Sequence, residues 1–297
     1  LTGPLLARYG KVVFPAPGGC TIGKRPIDLF IKAYEKMGAA VEYKDDAYVM
    51  TAQKLKGAEI FFDIQTVTGT ETIMMAAVLA EGTTVLKNCA MEPEISSLAE
   101  YLVSCGARIQ GAGTSTITIQ GGGLLESKQP YITIPDRIET GSFVVLGALL
   151  AKKLRIEKCD PSLLESVLSL LTTSGVRMNI GKDYIEILES KDLKSFNVRT
   201  HEYPGIPTDV QPQLVTYLTQ CIGEGIVFET IFEGRFKFVD NLKKMGAHIE
   251  ILNNREITTT SPTPLAASTL ETYDLRGEFS AVAAGLLAED ATVVQLA

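Results

Sequence analysis

Cys20, Lys24, Arg25 and Asp28 fall together in one glycine-rich stretch, Gly18-Gly19-Cys20-Thr21-Ile22-Gly23-Lys24-Arg25-Pro26-Ile27-Asp28. A thiol beside cations is tunable as an acid or a nucleophile, because positive charge favours the thiolate. A guanidinium fork and an ammonium hold carboxylates and phosphates. Pro26 at a first helical position and Asp28 in the first turn read as a helix start, and helix N-termini also accept anions. The glycines permit turns closed to other residues. Together these residues suit work on a phosphorylated or carboxylated substrate. The plainer reading of Cys20 is a small apolar filler or an inert thiol.

The elements that must position this loop are legible from length and periodicity. The chain has 297 residues, enough for two domains of ordinary size with a sizeable core. Hydrophobic residues make up 45% and charged residues 21%, as in globular proteins. A net charge of −7 argues against nonspecific nucleic-acid binding, so an anionic substrate needs a local basic cluster. Five cysteines without a CxxC pair fit a reducing cytoplasm and argue against structural zinc, and two histidines make a histidine-rich metal centre an unlikely design. The apolar runs are too short to span a bilayer, and no signal peptide is evident. The chain starts at Leu1 without an initiator Met and stops inside the apolar run 291–297, so both ends read as cut.

Glycines at 38, 106, 175 and 246 each follow a helical stretch and precede a strand, at intervals of 68, 69 and 71 residues. Each is expected at the left-handed position that stops a helix. Interleaved with them, apolar helices lead through short polar turns at 80–82, 151–153, 223–225 and 288–290 into strands at 83–86, 154–157, 226–229 and 291–294. Each unit of about 70 residues then reads helix, strand, helix, strand, strand, with its hairpin clearest at 107–110 and 116–119. A period of that size means copies of one supersecondary unit that share cores. Helices at 70–79 and 142–150 are apolar nearly all round and are expected inside the fold.

The repeat and four motifs resemble the enolpyruvate transferase family, in the branch that acts on UDP-N-acetylglucosamine. The motifs are Pro-Gly-Gly-Cys-Thr-Ile-Gly at 17–23, Leu-Lys-Asn-Cys-Ala-Met-Glu-Pro-Glu-Ile at 86–95, Pro-Asp-Arg-Ile-Glu-Thr-Gly at 135–141 and Pro-Thr-Asp-Val-Gln-Pro-Gln at 207–213. The likeness runs over essentially the whole chain. The sister branch, 5-enolpyruvylshikimate-3-phosphate synthase, shares the fold and lacks the Gly-Gly-Cys loop. The resemblance implies an α/β fold, an inside-out α/β barrel of repeated βαβαββ units in two domains, truncated here at both ends. Residues 1–134 are expected to form the catalytic-loop domain and 135–297 a second barrel domain carrying a general base. By the family's six-unit count, about two units lie outside this sequence, and with them a Lys-Asn pair and two arginines that contact substrate. The piece as given is therefore expected to be inactive.

The implied reaction is addition–elimination. It moves an enolpyruvyl group from phosphoenolpyruvate to the 3′-hydroxyl of UDP-N-acetylglucosamine, releases phosphate and opens peptidoglycan synthesis, on which cell shape and division depend. By resemblance Cys20 is the acid that protonates C3 of phosphoenolpyruvate, or a nucleophile at C2. Cations that lower its pKa oppose the acid role, and bound anionic substrate offsets them. Asp209 matches the general base, with a plain N-cap before a helix at 210–222 as the other reading. Arg25 and Arg235 match the arginines that hold phosphoenolpyruvate; Arg235 otherwise reads as a surface helix cation. Arg25, Pro26, Ile27, Asp28 and Leu29 match the nucleotide-sugar loop, Thr66 and Val67 part of the diphosphate turn, and Ile231 the sugar's packing surface. Ile64 and Thr68 depart from the family's Lys and Gly, which removes a cation from the diphosphate. Asp136, Arg137, Asp274 and Arg276 read as structural, the first pair as an ion pair at the domain boundary. No cofactor or metal is implied, and no nucleic-acid or membrane partner.

Two other classes compete. A noncatalytic nucleotide-sugar-binding paralogue would explain Ile64 but has no need of the thiol. A structural repeat scaffold would explain the period but not the cysteine loop. The transferase reading carries two further expectations. The loop around Cys20 closes on substrate, protecting residues 15–27 from protease. Cys20 is also the thiol most reactive towards an epoxide such as fosfomycin.

Overall fold

The computed structural model describes residues 1–15, 18, 22, 23, 27–272 and 274–296, with the side chains of Ser261 and Leu296 left aside. The chain divides into two compact units. Among the described residues, the first holds 1–15, 18 and 27–134, and the second holds 22, 23, 135–272 and 274–296.

In chain order the first unit runs α1 Thr2–Tyr9, β1 Lys11–Pro15, α2 Asp28–Lys36, β2 Ala40–Lys44, β3 Ala47–Thr51, β4 Glu59–Phe61, α3 Val67–Ala77, β5 Thr83–Lys87, α4 Pro93–Ser104, β6 Arg108–Gln110 and β7 Thr116–Gln120. The second runs α5 Arg137–Leu150, β8 Lys153–Glu157, α6 Glu165–Ser174, β9 Arg177–Ile180, β10 Tyr184–Leu188, β11 Val198–Arg199, α7 Gln211–Leu218, β12 Gly223–Phe228, α8 Val239–Lys244, β13 Ile249–Asn253, β14 Glu256–Ser261, β15 Thr269–Thr272, α9 Leu275–Leu287 and β16 Val293–Leu296. Short 3₁₀ turns precede three helices: Pro161–Leu164 before α6, Thr208–Val210 before α7 and Arg235–Phe238 before α8.

The period of about 70 residues is a βαβαββ unit. Sheet β4-β5-β7-β6 and sheet β11-β12-β14-β13 have the same strand order, each with one parallel pair followed by antiparallel pairing. Sheet β8-β10-β9 repeats the last three strands, and β15 paired in parallel with β16 repeats the opening βαβ. Period-two alternation sets which face is buried: Ile117 and Ile119 of β7, and Ile185 and Ile187 of β10, point into the core. Gly38, Gly106, Gly175 and Gly246 take φ of 90°, 105°, 106° and 98°, the left-handed region that ends a helix.

Each unit has its own apolar cluster. In the first, α3 buries Ile73, Met74, Ala76 and Ala77 against Tyr34, Met50 and Leu86. In the second, α5 and α7 bury Val144, Val145, Leu214 and Leu218 among Leu171, Ile185 and Ile257. Three sequence expectations change here. The 223–225 segment is the start of β12 rather than a turn, because it pairs with residues 259–261 of β14. Helix α7 stops at Leu218 instead of 222, since the Thr219 carbonyl accepts the N–H of Thr263 from a distant segment. The last strand starts at Val293 rather than 291, where it aligns with Thr269. Helix α5 is buried on most sides but leaves Phe143 and Leu150 exposed.

Candidate functional site

The 3₁₀ turn Thr208–Val210 starts after Pro207, whose φ of −68° and ψ of 134° bring the chain in extended. Asp209 inside it is not an N-cap: Pro207 and Val210 occupy the cap positions and make no side-chain cap bond. Its carboxylate instead lies between two guanidiniums. Arg235 Nη2 donates to Oδ1 at 2.9 Å, and Arg276 Nη2 donates to Oδ2 at 3.0 Å. The main chain behind the carboxylate is held from α7. Gln213 donates to the carbonyls of Asp209 and Val210 at 3.2 and 3.1 Å and accepts from Ser142 of α5 at 3.1 Å.

Arg235 is no surface cation: its side chain is 2% exposed, and its Nε has no acceptor among the described residues. A buried guanidinium needs its carboxylate, and its spare N–H needs an acceptor. Arg276 was read as structural, yet it reaches Asp209 because Asp274 caps α9. The Asp274 carboxylate accepts the N–H groups of Arg276 and Gly277 at 3.2 and 3.0 Å, aiming the first turn of α9 at the aspartate. Two guanidiniums converge on this one carboxylate, and arginine forks of that kind also hold carboxylates and phosphates. Each carboxylate oxygen keeps a lone pair beyond the one it spends on an arginine, so Asp209 can still accept a hydroxyl proton.

Cys20, Arg25 and Pro26 lie outside the described residues. Their neighbour Ile22 is buried, and its carbonyl accepts the N–H of Gly234 at 2.8 Å, next to Arg235. Ile231 follows β12 and donates its N–H to Glu229 at 2.8 Å.

The first unit holds the other expected contacts. Ile27 stands at the N-cap of α2 and makes no side-chain cap bond, Asp28 is the first helical residue, and Leu29 is buried. Lys32 Nζ lies 3.5 Å from Asp28 and 3.7 Å from Asp63. Thr66 caps α3 by accepting the N–H of Gly69 at 3.1 Å, which makes Val67 the first helical residue. That places free helix N–H groups beside the turn. Ile64 is exposed there. Asp136 and Arg137 both have partners close by. The Asp136 carboxylate accepts the N–H groups of Ile138 and Glu139, and Arg137 lies over the Tyr203 ring at 5.6 Å.

Sequence reading missed Arg276, Thr208, Gln213 and Glu229. The only signal for them was position: two lie in the 207–213 motif, and Arg276 follows Asp274 by two.

A family model described as EPSP synthase (3-phosphoshikimate 1-carboxyvinyltransferase) matches residues 1–297. The chain is 45% identical over 292 residues to a UDP-N-acetylglucosamine 1-carboxyvinyltransferase of Koribacter versatilis, covering 98% of this chain and 67% of that protein. It is 46% identical over 293 residues to the enzyme of the same name from Acidobacterium capsulatum, with the same coverage of 98% and 67%. Among solved structures, the enolpyruvyl transferase NikO from Streptomyces tendae superposes with a TM-score of 0.85 at 24% identity, covering 99% of this chain and 69% of that one. EPSP synthase from Acinetobacter baumannii gives 0.69 at 21%, covering 97% and 70%. These likenesses show the enolpyruvyl transferase fold.

Proposed function

Because this chain belongs to the EPSP synthase family of carboxyvinyltransferases, we propose that it moves the enolpyruvyl group of phosphoenolpyruvate to the 3′-hydroxyl of UDP-N-acetylglucosamine, the first committed step of peptidoglycan synthesis. The observation that carries the reading is the Asp209 carboxylate held by Arg235 and Arg276 at 2.9 and 3.0 Å, with a buried N–H of Arg235 that has no acceptor among the described residues. A base adjoining two guanidiniums able to hold an anion is what addition of an alcohol to an anionic enol phosphate requires.

In the addition step Asp209 takes the hydroxyl proton as the sugar oxygen bonds to C2 of phosphoenolpyruvate, while Cys20 delivers a proton to C3. In the elimination step the bond from C2 to the phosphate oxygen breaks, phosphate leaves, and the Cys20 thiolate recovers a proton from C3. Arg25 and Arg235 hold the anionic donor, and Arg276 joins them. The nucleotide sugar lies against Ile27, Asp28, Leu29, Thr66, Val67 and Ile231, with Pro26 in the same loop.

We place the reaction in the cytoplasm. The four described cysteines, Cys89, Cys105, Cys159 and Cys221, are free and buried, as in a reducing compartment. Among the described residues no helix is long and apolar enough to cross a membrane. The test is phosphate release from phosphoenolpyruvate, with and without UDP-N-acetylglucosamine, for the full-length protein and its Cys20→Ala variant. Sugar-dependent release that the variant lacks is expected. Binding of the sugar nucleotide without any release overturns the transferase in favour of a noncatalytic binder.

A further inference from the structure

Glu229 directly follows β12, is fully buried, and spends its whole carboxylate on neutral donors. Oε1 accepts the N–H groups of Ile231 and Phe232 at 2.8 and 3.1 Å. Oε2 accepts the hydroxyl of Thr208 at 3.0 Å. Its own backbone is pinned: the N–H donates to the Arg255 carbonyl at 2.8 Å, and Arg255 Nη1 donates to the carbonyls of Glu229 and Thr230 at 3.1 and 2.8 Å. Thr230 is fixed in turn by Thr200, through its N–H at 2.9 Å and its hydroxyl at 2.7 Å.

A buried carboxylate is costly to desolvate, and a cap on a surface turn needs no such group. What distinguishes Glu229 is what its two ends hold. One oxygen holds the residue before Asp209. The other holds the turn that leads into Arg235. These are the two segments whose side chains meet at 2.9 Å. We infer that Glu229, through the Thr208 hydroxyl, is a positioning residue that sets the distance and angle between Asp209 and Arg235. This rests on Asp209 acting as the base. Loss of the tether lets the 208–210 turn drift relative to the arginine, and sub-ångström drift in a base lowers turnover without touching the sugar contacts.

Glu229→Ala would strand three half-buried donors and threaten folding, so Thr208 reads the tether more cleanly. Thr208→Val keeps the shape and removes only the donor; Thr208→Ser keeps the donor. Near-UV circular dichroism confirms folding in each case. In the full-length protein, steady-state phosphate release is expected to show kcat reduced roughly tenfold in Thr208→Val, with KM for both substrates within about twofold, and at least half the kcat restored in Thr208→Ser. In Thr208→Val/Glu229→Gln the two changes should be non-additive, the double variant being no slower than the slower single one. A Thr208→Val kcat within twofold of the parent overturns the inference, as does a loss that serine fails to rescue or one confined to KM. Asp209→Asn separates the two failures. If it is inactive while Thr208→Val is normal, only the positioning role fails. If it turns over normally, the base assignment fails and the inference with it.

Discussion

Asp209 shows how one side chain takes its role from partners that local sequence does not reveal. Read alone, an aspartate before a helix is a cap; with Arg235 and Arg276 on its two oxygens it is a charged, oriented acceptor. The same contrast separates the thiols. Burial pushes Cys89 and Cys221 up to about 11, and Cys159 upward as well. At pH 8 an alkylating reagent should therefore modify Cys20 first and leave Cys89 and Cys221 intact, as read by peptide mass. Comparable rates at Cys89 or Cys221 would remove any special role for Cys20. The sign for stability follows from linkage. These thiols bind their protons more tightly folded than unfolded, so their contribution is fully present below the unfolded pKa near 9 and is lost as pH rises to about 11. Burial also raises Tyr34 and Tyr217, in the same direction. The urea midpoint should be lower at pH 10.5 than at pH 8, and an unchanged midpoint would contradict this burial.

At the scale of elements, the helix stops were legible and the strand starts less so. A left-handed glycine after an amphipathic stretch is a local signature, and all four stand where the spacing put them. The β12 start was missed because Gly223 and Gly225 look like turn residues. In the sheet, Gly225 instead admits Ser195 Oγ to within 2.6 Å of where a Cβ would stand. Caps act at this scale too. Asp136 satisfies two N–H groups at the start of α5, so Asp136→Ala should cost about 1 kcal/mol of stability. Chemical denaturation reads that cost directly, and a loss near zero would mean that water replaces the carboxylate without penalty.

At the scale of the whole molecule, repetition organises the cores. Leu214 of α7 is fully buried in the cluster that holds Leu171, Ile185, Ile257, Leu270 and Ala284, so elements from three successive repeats share it. Leu214→Ala should destabilise by about 2–5 kcal/mol and reduce amide protection in β8 and β10 as well as in α7. Loss confined to α7 would mean that the repeats do not cooperate.

The sequence by itself determined the repeat, its order of helix, strand, helix, strand, strand, the helix-stopping glycines and the motifs around Cys20 and Asp209. These depend on periodicity and on backbone preferences set within a few residues, and both are written locally. Only the tertiary structure decided that Arg276 reaches Asp209 from 67 positions away, and that Glu229 ties Thr208 to the turn before Arg235. The physical reason is that a buried charge or hydrogen-bonding group must be satisfied by whichever segment packing brings within about 3 Å, and sequence separation carries no information about that distance.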